Sequence, residues 1–195
     1  GVTLGRVLFY DKKISSDNTI SCASCHKQEF GFSDNTPKSI GVSGEQTFRN
    51  SMGFANAGFY AAENFSWDHQ AATLEDQILI PITDELEMGI TLENLVEKLS
   101  NLAYYEPLFI NAFGDSQITS TKISKALSQF VRSIYSYNTK YDRGIEITKD
   151  IFIDFPNFTT KENLGKDIFN GKLTPGAIGT CITCHLPNST PLHFD

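Results

Sequence analysis

Cys22-Ala23-Ser24-Cys25-His26 and, near the other end of the chain, Cys181-Ile182-Thr183-Cys184-His185 are one pattern met twice. Each is C-x-x-C-H, the arrangement for covalent attachment of a c-type haem. Two thiols at this spacing can each bond one vinyl group, and the adjacent histidine then lies under the ring and offers its imidazole to the iron. A C-x-x-C alone would equally suit a thioredoxin-like redox pair or half of a zinc site. Here the histidine follows both times, and the two motifs use all four cysteines of the chain. No thiol is left for a disulfide, and a shared zinc site would leave both histidines unexplained. Two haems are the reading.

The residues ahead of the two motifs repeat as well. Leu4-Gly5-Arg6-x-x-Phe9 stands before Cys22 much as Leu164-Gly165-Lys166-x-x-Phe169 stands before Cys181. Such self-similarity predicts a duplicated, cytochrome-like unit. In each unit the glycine is expected to permit close helix packing, with Leu and Phe turned to the haem pocket.

Between the motifs the pattern is helical, and strand alternation is hard to find. A short helix is expected over Val2–Tyr10 with Thr3 as N-cap. Gly-, Ser- and Asn-rich sequence from Phe30 to Tyr60 reads as ordered loop, because its aromatics argue against disorder. Thr73 caps a helix that Pro81 ends or kinks. Thr91 opens another, with Leu92, Leu95, Val96, Leu99 and Leu102 on one side. A third is predicted from Thr121 to Tyr137, its stripe running through Ile123, Ala126, Leu127, Phe130, Val131 and Ile134. Thr159 to Glu162 is a capping box that opens a helix through Phe169, and Gly171 can stop it. The first unit is expected to span residues 1–155 and the second to begin at 156.

A hydrophobic fraction of 40% suits an ordinary core, and the charge of −7 excludes nucleic acid as an expected partner. No run of apolar residues is long enough to span a membrane. Since haem is attached to C-x-x-C-H after export, a periplasmic protein is expected, its signal peptide absent from this chain. Only ten residues follow His185, so the second domain is expected to be incomplete.

Together these residues resemble the bacterial dihaem cytochrome c peroxidases, a family that includes the dihaem enzymes maturing methylamine dehydrogenase. The motifs that carry the resemblance are Leu4-Gly5-Arg6-x-x-Phe9-Tyr10-Asp11, Ile20 to His26, Arg49-Asn50-Ser51, Trp67-Asp68, Leu74-Glu75-x-Gln77, Pro81, Glu87-Met88, and the second-half repeat. The resemblance implies an all-α fold of two cytochrome c-like domains in tandem. It implies peroxide reduction at the first haem, with His26 as proximal ligand. Electrons from a small cytochrome c or cupredoxin would enter at the second, whose proximal ligand is His185. Gln77 and Glu87 would stand on the open side of the first haem, Trp67 on the electron route between haems, and Asn50 at a calcium ligand position. A homodimer is expected by the same analogy.

The chemistry agrees. Cleaving a peroxide O–O bond needs a proton moved from one oxygen to the other, which a carboxyl such as Glu87 can do. An amide such as Gln77 can orient the peroxide. On spacing alone Glu87 would read as a surface acid, since Asp84, Glu85 and Glu93 flank it. Two departures from the family stand out. Val42 occupies the place of a loop histidine that ligates the first iron in many relatives, so this loop is expected not to close the site. The only methionines, Met52 and Met88, lie in the first unit, which puts the second iron's remaining ligand beyond residue 195. The same haems would also suit an oxidase of a protein or organic substrate, or a simple electron carrier, although carriers normally fill both axial positions.

Overall fold

The computed structural model describes residues 1–59, 65, 71–173 and 180–184, of which 183 and 184 are described by backbone alone. Among them the secondary structure is helical: α1 Val2–Tyr10, α2 Cys22–Cys25, α3 Leu74–Thr83, α4 Leu92–Ser100, α5 Tyr105–Phe113, α6 Ser120–Arg132, α7 Lys140–Thr148, α8 Thr160–Phe169 and α9 Cys181–Cys184. β-pairing among the described residues is limited to isolated bridges, such as Lys27 with Ser33 and Ile40 with Gln46. No helix among them is long and apolar enough to cross a membrane.

Three helix starts follow from side-chain caps read in the sequence. Thr73, Thr91 and Thr159 each accept a hydrogen bond from the backbone N–H of the third helical residue, satisfying a donor that the first turn leaves over. Three expectations fail locally. Thr3 lies inside α1, whose N-cap is Gly1. The third predicted helix begins at Ser120 behind a Thr119 cap and ends at Arg132, short of Tyr137. Helices α5 and α7 escaped the sequence reading.

One compact unit holds α1 to α6 and ends at Ile134; the other takes Phe59 together with the chain from Tyr135 onward and holds α7 to α9. The core of the first is built on α1 against α6, with Leu4, Leu8, Phe9, Leu95, Leu99, Tyr105, Phe109, Ile123 and Leu127 all buried. Gly5 explains how closely α1 approaches. A Cβ placed there would sit 1.9 Å from the Ala126 carbonyl oxygen and 2.8 Å from Phe130 Cβ, so only glycine fits the crossing.

In the second unit Tyr141, Phe155 and Phe158 form an aromatic cluster. Asn163 holds the Phe155 backbone through both its amide atoms. Here the repeat departs from its first copy. A Cβ on Gly165 meets nothing within 4 Å among the described residues. Leu164 is 50% exposed where Leu4 is 1%. The expected close packing holds at Gly5 only, and of the first copy's Leu4 and Phe9 it is Phe9 that lines the pocket described next.

Candidate functional site

Within the first unit the helices leave a cavity of about 440 Å3, a usual size for a ligand site. Phe9, Ile20, Ile78, Leu127 and Val131 supply apolar wall; the segment 47–52 supplies a more polar side. Cys22, Cys25, His26, Asn50, Gln77 and Glu87 all line it. Residues spread over more than sixty positions of sequence thus share one space.

The C-x-x-C-H segment reaches the cavity as a single helical turn. Ser21 and Ser24 form a reciprocal capping box around it, which fixes the turn that aligns the two cysteines. Both thiols are free. Burial pushes the Cys22 thiol up to about 12. Burial also raises Cys25, with the neighbouring Ser39 hydroxyl pulling the other way. His26 Nδ1 lies 2.9 Å from the carbonyl oxygens of both Phe32 and Met52. Carbonyls only accept, so Nδ1 carries the hydrogen and Nε2 keeps its lone pair, the tautomer a metal ligand needs. Burial lowers the His26 pKa, with those two carbonyls pulling the other way, so the imidazole is neutral. Its ring stacks on Phe54 at 4.0 Å between centroids.

Gln77 and Glu87 arrive by a different route. Helix α3 is anchored to α6 by a two-pronged ion pair, Arg132 to Glu75 at 2.5 and 2.8 Å, and by the Ser124 hydroxyl on the Glu75 carbonyl at 2.7 Å. Pro81 lies inside α3 rather than ending it. It has no N–H for the carbonyl four residues back, that of Gln77. The Gln77 side-chain Oε1 is buried with no hydrogen-bond partner, an orphan that costs about 1–3 kcal/mol unless something binds there. After α3 the chain folds back on its own end: Met88 N–H donates to the Pro81 carbonyl and Ile90 N–H to Ile82. Gly89, at φ +60°, permits that reversal, and Glu87 is carried to the cavity. Burial raises the Glu87 pKa, and the neighbouring Asp84 charge raises it further.

The loop before residue 50 is fastened to this turn. Val42 N–H donates to the Glu87 carbonyl at 2.9 Å. A Cβ on Gly41 would stand 1.8 Å from the Leu86 carbonyl oxygen. Asn50 donates from Nδ2 to the Thr36 carbonyl at 3.0 Å. Among the described residues no cluster of three His, Cys, Asp or Glu side chains is gathered for a metal ion. Trp67 and His185, together with the side chain of Cys184, lie outside the described residues; Cys181 begins α9 and is exposed.

These residues fit a haem c. The donor set holds two uncharged thiols for thioether bonds, an imidazole committed at Nδ1 and free at Nε2, an apolar wall, and an unpartnered amide oxygen opening on the same space. Sequence reasoning missed Asp34, Ser39 and Asp84 around this site. Asp34 sits in a stretch, Asp34-Asn35-Thr36-Pro37, that reads as a plain turn, and nothing local marks it as buried.

Comparison with known proteins agrees with this geometry. The chain is 31% identical over 183 residues to the methylamine utilization protein MauG of Methylophilus methylotrophus, covering 94% of this chain and 51% of that protein. It is 30% identical to the cytochrome c551 peroxidase of Nitrosomonas europaea, with 93% and 50% covered. The chain therefore spans about half the length of these relatives. A crystal structure of a MauG-like protein associated with microbial copper homeostasis superposes with a TM-score of 0.78 at 33% identity, covering 94% of this chain and 51% of that one. The dihaem peroxidase BthA of Burkholderia thailandensis, at 21% identity and a TM-score of 0.76, shares the fold. With residues 1–150 matching the family's own sequence profile, this chain belongs to the di-haem cytochrome c peroxidase family.

Proposed function

We propose that this chain belongs to a dihaem c-type peroxidase that reduces hydrogen peroxide to water, H2O2 + 2 e− + 2 H+ → 2 H2O. The first haem is held by Cys22, Cys25 and His26 in the N-terminal unit, which ends at Ile134 rather than at the expected residue 155. The second is held by Cys181, Cys184 and His185 in the unit that holds α7 to α9. Bound at the first site, haem c supplies the iron at which the O–O bond breaks and the electrons that break it.

One observation carries the reading: a partly buried carboxyl with a raised pKa and an amide with an unpartnered oxygen share a cavity with the haem-binding residues. Glu87 takes the proton from one peroxide oxygen and returns it to the other. Its raised pKa brings it nearer working pH, where a general acid–base group is most effective. Gln77 Oε1 accepts a hydrogen bond from peroxide and orients it. The apolar wall from Phe9, Ile78, Leu127 and Val131 keeps bulk water out. Electrons reach the second haem from a small periplasmic cytochrome c or cupredoxin and pass by way of Trp67. Asn50 contributes to a calcium site, and two copies of the protein pair as a homodimer.

A second reading has its own observation. The loop at Val42 carries no histidine and is tied to the Glu87 backbone, so the first haem would stay open without reductive activation. An open haem of that kind also suits an oxidase acting on a protein or organic substrate, as the 33% identity to a MauG-like structure allows. Both readings oppose a plain electron carrier.

Steady-state turnover with peroxide and reduced cytochrome c tests the proposal. Glu87→Gln should lower kcat by about 10²–10⁴-fold, and full turnover in that variant would remove Glu87 from the chemistry. Low-temperature EPR of the fully oxidised protein should show a first haem that is not a low-spin bis-histidine centre.

A further inference from the structure

The two carbonyls that fix His26 do not belong to rigid elements. Phe32 and Met52 lie in loops, and Phe32 is held at φ +64°. That left-handed conformation is strained for a bulky residue, so it persists only where neighbours enforce it. The neighbours are a connected set. Ser33, directly after Phe32, donates from Oγ to the Ser51 carbonyl at 2.6 Å, directly before Met52. Ser39 Oγ stands 2.9 Å from Ser51 Oγ and 2.6 Å from Asp34 Oδ2. Asp34 Oδ1 takes Lys27 Nζ at 2.7 Å and the Asn35 N–H at 2.7 Å. Lys27, directly after His26, closes the circuit: its N–H donates to the Ser33 carbonyl and its own carbonyl receives the Phe32 N–H, both at 2.9 Å.

Asp34 sets the sense of the chain. A carboxylate only accepts, so Ser39 must donate to it, and Ser39 in turn accepts from Ser51. The Asp34 side chain is 4% exposed. Burial pushes its pKa up, but the bonds from Lys27, Ser39 and Asn35 outweigh this and hold it at about 2, so it is charged at any working pH. A carboxylate withdrawn from water with three hydrogen-bonded neighbours is an anchor for loops that have no helix to lean on.

We infer that Asp34 is a positioning residue for the first haem: through Ser39 and Ser51 on one side and Lys27 on the other, it locks the Phe32 and Met52 carbonyls onto His26 Nδ1. Two acceptors on one N–H give the imidazole partial imidazolate character and make Nε2 a stronger donor. A stronger donor favours oxidised iron, so the clamp lowers the reduction potential of that haem. This rests on the haem-binding reading given above.

The test uses the haem-loaded protein, with haem c counted by the pyridine haemochrome assay. Absence of haem c would end the haem reading itself, independently of Asp34. In loaded protein, Asp34→Asn and Ser51→Ala are compared with the parent by spectroelectrochemistry and by the iron–histidine stretching band in resonance Raman. Both variants should favour the reduced form of the first haem by up to about tenfold, or about 59 mV for one electron. The stretching band should move to lower frequency in both, with the second haem unmoved. Ser51→Ala removes no charge and cuts only the hydroxyl link. A shift in Asp34→Asn with none in Ser51→Ala would reduce the effect to a lost charge and overturn the clamp, as would an unmoved stretching band. If Asp34→Asn does not load haem, Ser51→Ala decides alone.

Discussion

At the scale of single residues, Glu87 and Asp34 are two acids shifted in opposite directions, for reasons their neighbours supply. Glu87 loses water and faces Asp84, so its charged form is disfavoured. Its folded pKa lies above the unfolded value, so the folded protein binds more protons between the two. Stability contributed by the protonated form is complete below the unfolded pKa and is lost as pH rises through the folded one. Glu87→Gln should therefore raise Tm relative to the parent above that window and change little below it, measured by thermal denaturation from pH 4 to 8. A Tm difference that does not vary with pH would contradict the raised pKa. Asp34 has the opposite sign. Its contribution is present above the ordinary aspartate range and fades as pH falls towards about 2. Asp34→Ala should cost about 2 kcal/mol at pH 7, the usual loss for hydrogen bonds to a charged group, and less in acid. Glu87 was findable in sequence only by likeness to a family, since an acidic run gives no local sign of burial. Asp34 gave no sign at all, because its burial depends on Lys27, Ser39 and Ser51 being folded around it.

At the scale of elements, the repeated Leu-Gly-base-x-x-Phe motif is one pattern doing two things. In α1 the glycine lies against the Ala126 carbonyl; in α8 the described residues leave its outer side open. Gly5→Ala should destabilise the first unit by about 1–3 kcal/mol through overpacking. Gly165→Ala should be neutral or stabilise α8 by about 0.5–1 kcal/mol, the ordinary helix preference for alanine. Chemical denaturation of the two variants compares them directly, and equal effects would mean the two helices pack alike. The start of α8 was legible because Thr159 and Glu162 satisfy the helix donors by themselves. Helix α5 was not, because its burial of Tyr105 and Phe109 is decided by α1 and α4 beside it.

At the scale of the whole molecule, this chain's charge of −7 bears on the proposed encounter with an electron donor. Attraction to a basic donor acts through encounter and is screened over about 10 Å at 0.1 M salt. With a basic reduced cytochrome c, kcat/KM should fall severalfold between low salt and 0.3 M, while kcat changes little. Salt-independent kcat/KM would point to an apolar or uncharged docking surface. The number of haems is a second molecular property. The parent should carry two per chain, and Cys181→Ala should lower the count while leaving the first-haem spectrum in place.

Local sequence was enough for the haem-attachment motif, the helical class and the starts of α3, α4 and α8, because those depend on residues within a few positions of one another. Covalent haem binding needs only C-x-x-C-H, and a threonine cap needs only its own first turn. It took the folded chain to show which acids are withdrawn from water, which glycine is indispensable, and that Gln77, Glu87 and His26 face one cavity. Desolvation and close contact are properties of what lies opposite a residue, and the chain brings that from far away.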